Sequence, residues 1–108
     1  MPKRESQVLA FALSLPESWE DHPWGETVAK VGAKVFVFLG GERITVKLDE
    51  SHAHALSIEG GVPAGYGLGK AGWVTVPLAN VPLDVLRDWV EESYRIVAPK
   101  RLVASLDG

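Results

Sequence analysis

Three groups of residues in this 108-residue chain have types and spacings that could do chemistry. The stretch Gly65-Tyr66-Gly67-Leu68-Gly69-Lys70-Ala71-Gly72-Trp73 contains the Gly-x-Gly-x-x-Gly spacing that, between a strand and a helix, cradles a pyrophosphate. His52 and His54 form an H-x-H pair that on a strand would aim both rings the same way, as a metal site needs. Lys30, Lys34, Arg43 and Lys47 stand against Glu42 alone between residues 27 and 48, a local basic surplus that could contact phosphates.

Each reading depends on the elements around it. Val8, Phe11, Ala12 and Leu15 recur at helical steps from Arg4 to Leu15, ending at Pro16. Residues 16–25 read as a loop, with two prolines, a glycine and clustered acids. Val28–Val31, Lys34–Leu39 and Arg43–Leu48 are β-rich and joined by glycine spacers short enough for hairpins. Asp49 is positioned to cap a short helix from Glu50, with Ala53, Leu56 and Ile58 directed inward. A glycine- and proline-rich loop then leads to a strand over Trp73–Val76. Pro82 opens a last helix whose buried stripe is Leu86, Trp89, Val90, Ser93 and Val97, stopped by Pro99.

The order α-β-β-β-α-β-(β)-α implies an α+β fold, an antiparallel sheet of about five strands with helices on one face. Length bounds the chain to one domain over 1–108, with a mobile tail expected from about residue 100 onward. Apolar residues are 46% and charged residues 23%, as in a soluble globular protein. No apolar run approaches the roughly 20 residues of a membrane span, and no cleavable leader pattern opens the chain. A cytoplasmic monomer without membrane contact is the expectation. Cysteine is absent, which removes disulfides, thiolate nucleophiles and cysteine-type zinc sites.

In that frame the glycine motif loses its phosphate reading. A loop precedes it and a strand follows, the reverse of a dinucleotide site, and Ala71 stands where a phosphate loop needs Ser or Thr after its lysine. A turn is the better account. His52 and His54 on a helix lie about 200° apart, so no metal is expected. No nucleophile elbow or assignable Ser, His and Asp grouping is present, and the paired acids sit in solvated settings. A nonenzymatic protein without cofactor is therefore expected. Of four tryptophans, Trp89 reads as core, Trp19 and Trp24 as pins for the acidic loop, and Trp73 as either a sheet-end core residue or a stacking surface beside Lys70.

The segments together resemble the MmcQ/YjbR family of small bacterial proteins. The resemblance runs from about Ser6 to Leu102. It is carried by Leu15-Pro16, Glu20-Asp21-His22-Pro23-Trp24-Gly25, Lys30 to Phe36, Thr45-Val46-Lys47-Leu48, Pro63-Ala64-Gly65-Tyr66 leading to Lys70 and Trp73, Thr75-Val76-Pro77-Leu78, and Ser93-Tyr94. It implies a double-wing, secretion-chaperone-like fold and a DNA-binding role. On that basis Lys30, Lys34, Arg43, Lys47, Lys70 and Trp73 are candidate nucleic-acid contacts. Two alternatives stay open: a peptide- or protein-interaction module on the open sheet face, and a small-ligand site at Tyr66, Lys70 and Trp73. Relatives carry His or Asn around that lysine and tryptophan, where this chain has Gly67, Gly69 and Gly72.

Overall fold

The structure is a computed structural model and describes residues 3–108. Its spine is one six-stranded antiparallel sheet in the order β1-β2-β3-β4-β6-β5. The strands are β1 (Ser18–Asp21), β2 (Thr27–Val31), β3 (Lys34–Gly40), β4 (Arg43–Lys47), β5 (Val62–Pro63) and β6 (Trp73–Pro77). The helices are α1 (Lys3–Leu13), α2 (His52–Ser57), α3 (Leu83–Val97) and α4 (Lys100–Asp107). The α+β class expected from the pattern holds.

Period-two alternation sorts the sheet into two faces. Val37, Leu39, Ile44, Val46, Val74 and Val76 join Val8, Ala12, Leu86, Trp89, Val90 and Tyr94 in the main core between sheet and helices. A bulge on β3 interrupts the alternation. Ala29 pairs with Val37 but Lys30 pairs with Val35, so consecutive Phe36 and Val37 are both fully buried in that core. Phe36 meets the Tyr94 ring edge-on at 5.2 Å.

The buried apolar residues of all four helices belong to that core, which leaves the opposite face of the sheet without a helix among the described residues. Cross-strand partners carry one row over it, from Asp21 through Val28, Phe38, Thr45 and Thr75 to Val62. A second row holds Trp19, Lys30 and Val35, with Lys47 and Trp73 beyond. Phe38 and Trp73 pack edge-on at 5.5 Å, and Thr45 and Thr75 share a hydroxyl hydrogen bond of 2.8 Å. The open face is thus largely self-packed.

Four expectations need correction. The loop expected over 16–25 contains β1, an edge strand held by its pairing to β2 and by the Trp19 indole N–H donating to the Gly32 carbonyl at 2.9 Å. Helix α2 begins at His52 and buries Ala55, whereas Ala53 is exposed. Its start is held from afar, because the Glu92 carboxylate accepts the backbone N–H groups of Asp49 at 2.7 Å and Ser51 at 3.1 Å. Trp24 pins nothing, being 99% exposed. The expected tail from residue 100 is helix α4, docked by buried Leu102 and by the pairs Arg101–Glu17 and Arg95–Asp107, both at 2.8 Å.

Candidate functional site

Antiparallel pairing brings the start of β3 and the ends of β2 and β4 to one end of the sheet, and Lys34 and Lys47 with them. There β3 and β4 separate around Ser93 of α3, whose hydroxyl donates to the Phe36 carbonyl at 2.6 Å and accepts the Lys47 N–H at 3.0 Å. Lys34, Val35, Lys47, Trp73, Ile96 and Val97 line a shallow cavity of about 330 Å³ at this end. Neither lysine forms an ion pair with a described residue. Lys47 also runs past Gly72, where a Cβ would lie 3.8 Å from its Cγ, and so adjoins the single 3-10 turn Leu68–Ala71 that carries exposed Lys70.

The glycines around Lys70 serve that turn. Gly67 and Gly72 bracket it at φ 79° and 97°, and a Cβ on Gly69 would come 2.7 Å from the Pro63 Cβ. No helix amino end faces them, since β6 begins at Trp73.

The other candidate residues lie apart from this cluster or are already engaged. Lys30 donates to Asp21 at 2.8 Å and lies 5.1 Å from the centre of the Trp19 ring. That ammonium, with the His22 backbone N–H, holds the Asp21 carboxyl below its ordinary value. Arg43 stands at the far end of β4 from Lys47, four residues or about 13 Å away along the strand. Trp73 is 8% exposed, with its ring against Phe38 rather than presented for stacking. Tyr66 is fully exposed at φ 59°, a left-handed conformation uncommon for an aromatic residue. Tyr66, Lys70 and Trp73 therefore share a neighbourhood in the chain, but Tyr66 and Lys70 are absent from the walls of the cavity that Trp73 lines.

The histidines do not converge either. The His54 ring meets Trp89 edge-on at 5.5 Å, whereas His22 lies in the β1–β2 connection, 2.7 Å from Glu20. Among the described residues no group of three or more His, Asp or Glu side chains is arranged to hold a metal ion, and no helix is long and apolar enough to cross a membrane.

Sequence reasoning missed two features of the surroundings. Asp49, Glu50, Asp88, Glu91 and Glu92, with Arg95 paired to Glu91, line a net acidic groove that shares Ile96 with the lysine cavity, so negative charge bounds the basic cluster on the α3 side. The acids were visible, but nothing local placed α3 beside Asp49. At the opposite end of the sheet, Arg4 and Glu5 of α1 meet Arg43 in a separate cleft. As the first turn of an amphipathic helix they carried no signal of this.

Comparison with known proteins agrees with this architecture. A crystal structure of Deinococcus radiodurans protein DR2400, described as a DUF419 family-model domain, superposes with a TM-score of 0.73 at 27% identity, over 90% of this chain and 80% of that one. No match was found among curated proteins. The YjbR family model matches residues 13–96, from the end of α1 to the last turn of α3, and by that match over most of its length the chain belongs to the YjbR family.

Proposed function

We propose that this protein is a nonenzymatic DNA-binding domain that grips the phosphate backbone through Lys34 and Lys47, with Lys70 beside them. The observation that carries the reading is the convergence of Lys34 and Lys47, neither ion-paired among the described residues, on one cavity at a sheet end next to the Lys70 turn. Lysine ammonium groups contact phosphates as point charges and read no bases, so binding is nonspecific. Lys30 contributes little while Asp21 neutralises it, and Arg43 belongs to the other end of the sheet.

Three phosphate contacts on duplex DNA give a log–log salt slope of about −2.7, a loss of roughly 40-fold between about 50 and about 200 mM salt. The net charge of −3 and the adjoining acidic groove keep affinity low even in dilute salt. Fluorescence anisotropy with labelled duplex and single-stranded DNA tests this. The paired change Lys34→Glu and Lys47→Glu abolishes binding if the reading is right; undiminished binding, or none by the unaltered protein in dilute salt, overturns it.

A second reading rests on a different observation. Trp19 and Val62, 44% and 45% exposed, mark the two edges of the open sheet face, an apolar frame suited to an extended peptide. A partner captured from nuclease-treated lysate and lost on Trp19→Ser and Val62→Ser would favour this reading over DNA.

A further inference from the structure

We propose that the cleft between Arg4 and Arg43 binds a small zwitterion of the α-amino acid class, with its carboxylate on the guanidinium groups and its ammonium on Glu5. The cleft has a volume of about 380 Å³, at the small end of the range for small-molecule sites. It lies at the end of the sheet away from Lys34 and Lys47 and shares none of the residues proposed to hold DNA.

Glu5 is the unusual member. Its residue is 7% exposed, a degree of burial that carboxylates seldom reach without a cation, yet it forms no ion pair with a described residue. One oxygen accepts the Glu42 backbone N–H at 3.1 Å, which fixes the carboxylate against the β3–β4 turn. That turn is itself fixed, with Gly41 and Glu42 at φ 58° and 61° and the Glu42 carbonyl accepting the Leu78 N–H at 3.0 Å.

The two arginines likewise form no ion pair with a described carboxylate. Arg4 is oriented by a hydrogen bond to the Val81 carbonyl, which leaves most of its five donors available, and Arg43 stands at the turn's exit. Four charged residues thus line one cleft, Arg4 and Arg43 with the buried Glu5 and the exposed Glu42, and no ion pair among the described residues joins them. A guanidinium fork matches a carboxylate, and a carboxylate backed by one amide bond accepts readily from an ammonium. Pro77, Leu78 and Ala79 supply an apolar wall for a short aliphatic side chain. A ligand with both charges on one carbon engages Arg4, Arg43 and the buried Glu5 at once; a bare anion leaves Glu5 facing like charge.

The test is amide chemical-shift titration of the folded protein with L-leucine, leucinamide, N-acetyl-leucine and inorganic phosphate. L-Leucine is expected to shift the Gly41, Glu42, Leu78 and Ala79 signals to saturation. The amide, which lacks the carboxylate, and the acetyl compound, which lacks the ammonium, should each bind at least about tenfold more weakly, a difference of about 1.4 kcal/mol. Arg43→Met and Glu5→Gln should each weaken L-leucine to the same degree. The glutamine retains a carbonyl for the Glu42 amide, so the turn survives the change. Absence of saturable shifts with L-leucine overturns the proposal. So does phosphate binding as tightly as L-leucine and surviving Glu5→Gln, which would mark a bare-anion site.

Discussion

The Ser93 hydroxyl accepts the backbone N–H of Lys47 at 3.0 Å, from a helix 46 residues further along the chain. Its own proton goes to the Phe36 carbonyl at 2.6 Å, so one side-chain oxygen spans two strands where their direct pairing ends. Ser93 is completely buried, and water cannot replace it without repacking. Ser93→Ala orphans a buried donor and a buried acceptor together. The expected loss is about 1–3 kcal/mol of unfolding free energy, read from urea denaturation. A loss under about 0.5 kcal/mol would mean the strands close on each other unaided.

Two surface pairs dock α4, and their acids set a pH limit. The Arg101 guanidinium lowers the Glu17 carboxyl below its ordinary value, and the Arg95 guanidinium does the same for Asp107. Because both folded values lie below the unfolded ones, the stabilisation is fully present above the unfolded range near 4.5 and 3.8. It is lost as pH falls through the folded values. Amide hydrogen exchange across Leu102–Leu106 should therefore stay flat from neutral pH to about 5 after correction for intrinsic rates, and its protection should fall below about 4. High salt should weaken it in the same direction, since both pairs are exposed.

Two glycines separate crowding from backbone strain. A Cβ on Gly61 would lie 2.2 Å from the Ala55 carbonyl oxygen and 3.0 Å from that of Ile58, so the α2–β5 connection would have to move. Gly61→Ala is expected to cost at least about 2 kcal/mol, as overpacking against backbone does. Gly25, at φ 80° with nothing near its Cβ position, costs only the left-handed conformation, about 1–2 kcal/mol. Thermal unfolding of both variants should rank them in that order.

What was legible in the chain was whatever repeats locally. The alternation in Arg43–Lys47 and the three-four stripe of Leu86, Trp89, Val90 and Ser93 each depend on neighbours within one turn or one pleat, and both elements appear as read. Strand β1 did not, because Ser18-Trp19-Glu20-Asp21 has no apolar alternation and owes its extension to pairing with Val28–Val31. The cap of α2 was misread for a related reason. Asp49 is the local choice of acceptor, but Glu92 arrives from α3 and takes the amides instead. Of the basic residues between 27 and 48, composition gave the charges but not their partners. Asp21 claims Lys30 across a strand pair, and β4's length puts Arg43 and Lys47 at opposite ends of the sheet.

That claim by Asp21 yields the sharpest test of the DNA reading. Lys30 sits one residue from Val31, the partner of Lys34, while Asp21, the partner of Val28, draws its ammonium away from the sheet end that holds the lysine cavity. Asp21 cancels its charge and the Trp19 ring steadies it from 5.1 Å. Asp21→Asn removes the carboxylate charge and keeps the strand's polar edge. Duplex binding should tighten, and the salt slope should steepen by about 0.9, the increment for one more phosphate contact. In the unaltered protein Lys30→Gln should change little, whereas on the Asp21→Asn background it should return both affinity and slope to their starting values. The coupling between the two changes isolates the pair from the general effect of net charge. If Lys30→Gln instead weakens binding equally on both backgrounds, Asp21 does not mask Lys30, and the division of labour among the lysines fails.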